Sequence, residues 1–191
     1  MPDDTGKGIE AAARQARYEA LAALARQAGV AHVLLAHHQD DQAETVLLRL
    51  LRGAGLQGMA AMAAETERDG VRYLRPWLAV PRAAIRAAAA GFAQARGWQP
   101  VEDPTNADAR YTRAAVRTQL KPALDARWPA WQAIVARHAR HMAEAAQVLA
   151  EVAQADLAQL DFSRADASFS LAAWRGLPPA RQLNVLRYWL A

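Results

Sequence analysis

The sequence predicts a remnant of an α/β fold followed by a mostly helical second domain, so that the chain is predominantly α overall. Apolar residues recur every three or four positions along most of its 191 residues, which is typical of amphipathic helices. Residues 30–36 form a short apolar run between two such helices, as a buried parallel strand of a doubly wound sheet does. Trp128-Pro129 breaks the helical pattern. We therefore predict two domains, covering residues 1–127 and 128–191.

Glycines mark the ends of the two predicted helices on either side of the strand. A first helix is predicted over residues 9–28, because alanine, leucine and isoleucine share one face, and Gly29 ends it. A second helix begins near Asp40, with Asp40 or Gln39 as its cap, and ends at Gly53. Its acidic first turn suits the positive end of the helix dipole.

The remainder reads as mostly helical. We predict a short strand over residues 71–74, followed by a helix from Pro81 to about residue 96. Gly97 and several prolines indicate a loop over residues 97–112. The later predictions are a helix over 111–120 interrupted by Pro122, a long helix over 130–160, a short strand over 168–171 and a last helix over 179–190.

The predicted strand over residues 30–36 has no partner strand beside it in the sequence. A single buried parallel strand is not stable alone, so its neighbours are either missing or supplied from elsewhere. We therefore expect the chain to be a fragment of a larger α/β domain. The open edges of such a strand favour pairing with a second copy of the chain, which makes a homodimer a hypothesis.

Positive charge is concentrated in the middle of the chain. Residues 71–140 hold twelve Arg or Lys and four Asp or Glu, a net of +8, whereas the whole chain has +4 and the rest therefore −4. Nearly all of these cations are arginine, whose planar guanidinium suits bidentate contacts with phosphate. The distribution favours binding to nucleic acid, and the alternative is a solvated basic surface.

Composition excludes several classes of protein. There is no cysteine, which excludes a disulfide scaffold, a cysteine-ligated zinc site and a cysteine nucleophile. No apolar run is long enough to span a membrane, and the first residues do not resemble a signal peptide. We therefore expect a cytoplasmic protein with no membrane partner.

Polar side chains that suit a reactive site follow the predicted strand directly. His37 and His38 lie just past its carboxyl end, where ligands bind in open α/β sheets. Asp41 and Glu44 are three residues apart and share a helix face, so together they suit an ammonium group or a divalent cation. Two alternatives remain: acids that only complement the helix dipole, and a zinc site of His37, Asp41 and Glu44, whose spacing matches no strong metal motif.

A second polar cluster lies downstream. It is Glu102-Asp103-Pro104-Thr105-Asn106. Arg113, Arg117 and Lys121 follow four residues apart and form one basic stripe on a helix. The alternative is again a solvated face.

These segments together resemble one family. The stretch after the strand resembles the second signature of the tRNA-modifying ATPases with a PP-loop, which have an N-type ATP pyrophosphatase fold. This stretch is Ala36-His37-His38-Gln39-Asp40-Asp41-Gln42-Ala43-Glu44-Thr45. Lysidine synthases and tRNA 2-thiocytidine synthases share it, but the thiolating enzymes rely on cysteines. The continuation is similar to the lysidine synthases, as are Arg75-Pro76-Trp77 and the cluster at 102–106. The continuation is Leu48-Arg49-Leu50-Leu51-Arg52-Gly53-Ala54-Gly55-Leu56-Gln57-Gly58-Met59.

The resemblance implies a reaction, its cofactors and its partners. Such enzymes use ATP and magnesium to adenylate C2 of the wobble cytidine of an isoleucine tRNA, and free lysine then displaces AMP. Carried onto this chain, Asp41 and Glu44 would bind the lysine ammonium or Mg²⁺, while Arg17 and Arg113 would stabilise phosphate charge or position tRNA. The residues expected to bind substrate or tRNA are His37, His38, Asp40, Arg52, Gly53, Gly55, Arg82, Arg86, Arg117 and Lys121.

The sequence departs from this family in one respect. The phosphate-binding loop, a Ser-Gly-Gly-x-Asp-Ser pattern, is absent from the 191 residues. We therefore expect that this polypeptide alone neither binds ATP productively nor makes lysidine. Three alternatives remain open: part of a 2-thiocytidine-type enzyme, a non-catalytic helical RNA-binding module, and a metal-dependent hydrolase that uses His37, His38 and Asp41.

Overall fold

The computed structural model describes residues 5–99, 101 and 112–190, with side chains from residue 12 onward. Helices dominate, and a small sheet lies near the start, as predicted. The elements of the first half are α1 (Thr5–Gln27), β1 (His32–Leu34), α2 (Gln39–Leu50), α3 (Leu56–Met59), β2 (Glu65–Arg68), β3 (Val71–Leu74) and α4 (Arg82–Arg96). Those of the second half are α5 (Thr112–Ala115), which continues into a π-helical turn (Val116–Leu120), α6 (Lys121–Arg127), α7 (Trp131–Ala158), α8 (Leu171–Arg175) and α9 (Pro179–Trp189).

The sheet has three strands in the order β1-β3-β2. β1 runs parallel to β3, with Leu34 opposite Leu74, and β2 runs antiparallel to β3. β2 was not predicted, because its sequence is charged. Its signal was the Asp69-Gly70 pair before β3, whose φ angles of 54° and 72° suit the two-residue hairpin turn between β2 and β3.

The prediction of an isolated, buried strand over residues 30–36 is wrong for the described residues. β1 is shorter than predicted and has β3 as its partner. It is also largely exposed, with 69% of Leu34 accessible. The reason is that only three strands form, so β1 is an edge strand whose other side has no strand among the residues that the structure describes. Its apolar composition suits a more central position than the one observed.

α1 and β3 form the core beneath the sheet. Tyr18, Ala22 and Ala25 of α1 pack against Val71 and Tyr73 of β3. The two tyrosine rings meet edge to face with centroids 4.9 Å apart. Tyr73 is fully buried, and burial of such a side chain contributes on the order of 2 kcal/mol. This contact fixes the sheet against α1 and so sets where the carboxyl ends of β1 and β3 lie.

Several helix boundaries follow the prediction, and some differ. The helix after Pro81 ends at Arg96 as predicted. Pro122 does not end the helical segment but lies in the first turn of α6. The turn before it is π-helical, which accommodates a residue that has no N–H to donate. The predicted strand over 168–171 is reduced to a single bridge between Ser163 and Ser168. Most of the predicted loop over 97–112 falls outside the described residues.

The chain divides into two compact units, each interrupted in sequence. The first contains residues 1–48 and 62–136, and the second contains residues 49–61 and 137–191. In the second unit, Leu157, Leu160 and Val185 form a core, and the fully buried carboxylate of Asp156 accepts a hydrogen bond from Arg181. The domain boundary predicted after residue 127 stays a prediction. None of the described helices is long and apolar enough to cross a membrane.

Candidate active site

The site begins where α2 follows β1. His38 precedes the helix, and its Nδ1 accepts a hydrogen bond from the backbone N–H of Asp41, with a separation of 3.3 Å. In return, Oδ2 of Asp41 accepts one from the backbone N–H of His38 at 3.1 Å. This reciprocal pair is a capping box with histidine in the usual serine position. The prediction that Asp40 or Gln39 caps α2 is therefore wrong, because His38 already satisfies the helix start.

The two predicted carboxylates are brought together by an arginine. Nε and Nη2 of Arg117 donate to the two oxygens of Glu44 at 2.7 and 2.9 Å. Nη2 also donates to Oδ1 of Asp41 at 3.2 Å. Glu44 and Asp41 are 4% and 9% exposed, so this is a mostly buried, bidentate ion pair. We call Asp41, Glu44 and Arg117 the acid–arginine cluster.

The π-helical turn places Arg117 against α2. Arg113, one turn earlier, donates to the hydroxyl of Thr45 at 3.2 Å, and that hydroxyl donates to the carbonyl of Asp41 at 2.7 Å. The basic stripe that the sequence predicted therefore faces α2 rather than solvent at these two positions. The hydrogen bonds to Glu44, followed by the charges of Glu44 and Asp41, raise the pKa of Arg117, and it stays charged.

His37 lies beside this cluster without a partner. Its Nδ1 is buried and makes no hydrogen bond among the described residues. Burial lowers the pKa of His37; the charge of Asp41 opposes that shift, and the charges of Arg75, Arg113 and Arg17 reinforce it. His37 is therefore a neutral imidazole at neutral pH, with an unsatisfied ring nitrogen.

The described residues offer a poor fit for a metal ion. They contain no group of three His, Cys, Asp or Glu side chains that could hold one. Magnesium prefers an octahedral set of oxygens, and here the two carboxylates already share the positive guanidinium of Arg117, which lies against both of them. His37, His38, Asp41 and Glu44 are among these described residues, so neither the zinc site nor the hydrolase site considered from the sequence is formed by them.

The other predicted residues are dispersed. Oδ1 of Asp40 accepts from the backbone N–H of Arg82 at 3.0 Å and so caps α4. The side chains of Arg82 and Arg86 are exposed on that helix. Lys121 forms an ion pair with Asp125, which also accepts a hydrogen bond from Trp131.

The predicted glycine loop belongs to the second compact unit. Arg52 is exposed, and Gly53 has a φ of 71°, a conformation that favours glycine. Gly55 borders a groove of about 410 Å³ within that unit. Leu149, Asn184, Arg187 and Tyr188 also line this groove.

Two residues of the site were missed. Thr45 joins Arg113 to α2, and Arg75 lies buried at the end of β3, where its charge reaches His37. Arg75 was noted only as part of a family motif. A buried position after an alternating strand was its signal, because Val71, Tyr73 and Arg75 lie on the same face.

Two family models match the chain. The family model described as "PP-loop domain" matches residues 2–124, which include the acid–arginine cluster. A second model, "TilS substrate binding domain", matches residues 169–191.

Curated relatives match the chain from end to end. A tRNA(Ile)-lysidine synthase of Bordetella pertussis is 71% identical over all 191 residues, which cover 60% of that relative. One from Ralstonia nicotianae is 53% identical over 98% of the chain and 39% of its own length, and one from Pseudomonas aeruginosa is 45% identical over 97% and 42%. The chain thus spans 60% or less of the length of these three relatives.

Proposed function

Because the chain belongs to the PP-loop domain family, we propose that it forms part of an enzyme that joins lysine to C2 of the wobble cytidine of an isoleucine tRNA. The acid–arginine cluster carries this proposal. It lies where the carboxyl end of β1 meets α2, the position at which open α/β sheets bind ligands. Similarity to lysidine synthases along the whole chain supports the same reaction.

Within this proposal, Asp41 and Glu44 receive the ammonium group of lysine. Two carboxylates and one guanidinium leave the cluster with a net charge of −1, which one ammonium neutralises, whereas a divalent cation would overcompensate it. Each carboxylate oxygen has lone pairs beyond those used by Arg117. Arg117 then acts as a positioning residue that holds both carboxylates on one side of α2.

Arg17 and Arg113 are the proposed contacts for phosphate or tRNA. Arg113 is adjacent to the cluster through Thr45, and the charges of both arginines act on His37. The groove beside Gly55 is the proposed border of the cytidine pocket, since an apolar wall with Asn184, Arg187 and Tyr188 suits a base. His37, His38, Arg52, Gly53, Arg82, Arg86 and Lys121 remain proposed substrate contacts.

ATP activates the cytidine in this reaction, but the chain does not contain the Ser-Gly-Gly-x-Asp-Ser loop expected to hold its phosphates. The residues after β1 run into α2 without a glycine. We therefore expect no lysidine when the isolated chain is incubated with ATP, lysine and tRNA. Product detected by mass spectrometry of the digested tRNA would reject this expectation.

The decisive experiment uses the full-length protein with Asp41→Asn or Glu44→Gln. Each substitution removes a negative charge from the cluster, so lysidine formation should fall by at least about a hundredfold, on the order of the loss of a key charge contact. The apparent Kd for tRNA should stay within about twofold. Glu67→Gln, an exposed acid on β2, is the matched control and should leave both measurements unchanged.

The same measurements separate the alternative function. A non-catalytic RNA-binding module is favoured by the arginine-rich middle of the chain, and it predicts no lysidine from the unmodified full-length protein. Retention of full activity by both variants would instead reject the assigned role of the carboxylates.

The proposal extends to location and assembly. A cytoplasmic location is part of the proposal, because the proposed substrate is a tRNA. We also propose that the chain forms a homodimer through the open edge of β1, because Leu34 leaves that edge apolar and exposed.

A further inference from the structure

An arginine cluster surrounds the side chain of Tyr18 in the first compact unit. Its members are Arg14, Arg17, Arg68 and Arg75. They come from α1, β2 and the residue after β3, so no segment of the sequence shows them as a group. We propose that this Tyr18 arginine cluster is a binding site for the phosphate groups of a polyanionic substrate.

The ring of Tyr18 holds the cluster together. The guanidinium carbons of Arg14, Arg17 and Arg68 lie 5.7, 5.8 and 5.4 Å from its centroid. Nη2 of Arg75 approaches the Tyr18 hydroxyl at 3.4 Å. Cation–π attraction to the face of an aromatic ring offsets part of the repulsion between like charges.

The arginines of the cluster outnumber the acidic side chains beside them. Asp69 contacts Arg68 at 3.3 Å, and the amide oxygen of Gln15 also accepts from Arg68. Across the described ranges, no acidic side chain forms an ion pair with Arg14, Arg17 or Arg75. A second carboxylate, that of Glu19, reaches the cluster only through the amide of Gln15. Four positive charges against these two negative charges still favour the arrival of an anion.

Arg75 gives an independent indication of a ligand. It is only 6% exposed, and its Nε is buried without a hydrogen-bond partner. Its other contacts are neutral oxygens: the carbonyl of Ala63 at 2.9 Å and the hydroxyl of Thr66 at 3.3 Å. A buried guanidinium surrounded by neutral groups is unfavourable without an anion to compensate it.

Phosphate is the anion that this chemistry fits. Guanidinium groups match phosphate oxygens bidentately, and several of them suit a ligand with several phosphates. The charges of Arg17 and Arg75 also reach His37, so the Tyr18 arginine cluster borders the candidate active site. Two sources share this chemistry, the backbone of an RNA and the phosphates of a nucleotide. That the ligand is RNA or a nucleotide rests on the proposed function, whereas the proposal that the Tyr18 arginine cluster binds phosphate does not.

The test compares full-length proteins. The variant Arg14→Gln with Arg68→Gln removes one exposed and one partly exposed member, and none of the residues assigned to the acid–arginine cluster. The control, Arg26→Gln with Arg96→Gln, removes two exposed arginines from the ends of α1 and α4. Filter binding of tRNA between 50 and 300 mM salt forms one arm (about the range over which phosphate contacts are resolved). Binding of ATP and of inorganic pyrophosphate forms the other.

If the ligand is RNA backbone, the tRNA affinity of the variant falls about tenfold, and the slope of log K against log salt decreases by about 1 to 2. If the ligand is a nucleotide, binding of ATP and pyrophosphate weakens about tenfold and the salt slope for tRNA is unchanged. Arg14→Lys with Arg68→Lys keeps the charges but not the bidentate guanidinium geometry, so it should restore only part of either loss.

Equal behaviour of the variant and the Arg26/Arg96 control in both arms would overturn the proposal. Arg14 and Arg68 are partly or fully exposed, so folding should persist; Arg14→Gln alone, on the surface of α1, gives a second measurement read in the same way. Full-length protein that shows the variant-sensitive binding but makes no lysidine would reject the proposed function while supporting this site.

Discussion

At the scale of single residues, the acid–arginine cluster is a set of charged side chains that are mostly buried rather than exposed to solvent. Asp41 and Glu44 were predicted to share a helix face, and they do. Arg117 was expected to contact RNA, yet its guanidinium is bonded to both carboxylates. Burial of two carboxylates is tolerated because this arginine supplies charge-assisted hydrogen bonds.

Loss of Arg117 should therefore destabilise the fold. In Arg117→Ala, two mostly buried carboxylates lose their counter-ion, so the free energy of unfolding should fall by about 3 kcal/mol or more. Arg117→Lys keeps the charge without the bidentate geometry and should lose less. Urea denaturation measures both, with Arg86→Ala on the exposed face of α4 as the control. A loss in Arg117→Ala no larger than in the control would show that the ion pair is not buried in solution.

His37 should make stability depend on pH. Its pKa is lowered in the folded protein, so the unfolded chain binds more protons between that lowered value and the ordinary value near 6.5. The free energy of unfolding should therefore fall as pH decreases below about 6.5. In His37→Gln this part of the pH dependence should be absent.

The control for that prediction is His32→Gln, an exposed histidine at the start of β1. Unfolding of the three proteins is followed by circular dichroism at pH 7.5 and 5.5 (roughly one unit on either side of the ordinary histidine value). A profile for His37→Gln that matches the unmodified chain would contradict the burial of a neutral imidazole.

At the scale of elements, helix ends depend on local chemistry. α4 ends at Gly97, whose φ of 63° lets its N–H reach the carbonyl of Ala93. Gly91 lies inside the same helix, and a Cβ there would meet nothing within 4 Å. Gly97 therefore needs the left-handed conformation that glycine allows, whereas Gly91 has ordinary helical geometry and room for a side chain.

Alanine at these two positions should change stability in opposite directions. Gly97→Ala forces a left-handed conformation on a residue with a Cβ, so unfolding free energy should fall by about 1 kcal/mol. Gly91→Ala should raise it by about 0.5 to 1 kcal/mol, because helical alanine loses less conformational entropy on folding. Chemical denaturation of both variants provides the comparison, and two changes of the same sign would mean that α4 does not end at Gly97.

At the scale of the whole molecule, the open edge of β1 is the feature with the clearest consequence. β1 has β3 on one side, and its exposed Leu34 is apolar. An unprotected apolar edge strand pairs readily with another chain, and a lysine on it prevents this. The assembly of the chain should therefore depend on this strand.

Light scattering should show a dimer whose fraction rises with the concentration of the chain. The Leu34→Lys variant should be monomeric at the same concentrations. Leu51→Lys is the control, because Leu51 is also a highly exposed leucine, 73% accessible, but follows α2 and is not part of a strand. A monomer of the unmodified chain at every concentration would remove the proposed dimer.

Sequence alone determined the long helices, the approximate places of β1 and β3, and the carboxylate pair that follows β1. These depend on periodicity, on turn residues and on spacing within one helix, all of which are local. Tertiary structure alone decided that Arg117 bonds to Asp41 and Glu44 and that Arg68 and Arg75 approach Tyr18. Those contacts join residues 50 to 76 positions apart, and their energies arise from burial and charge pairing that no local pattern encodes.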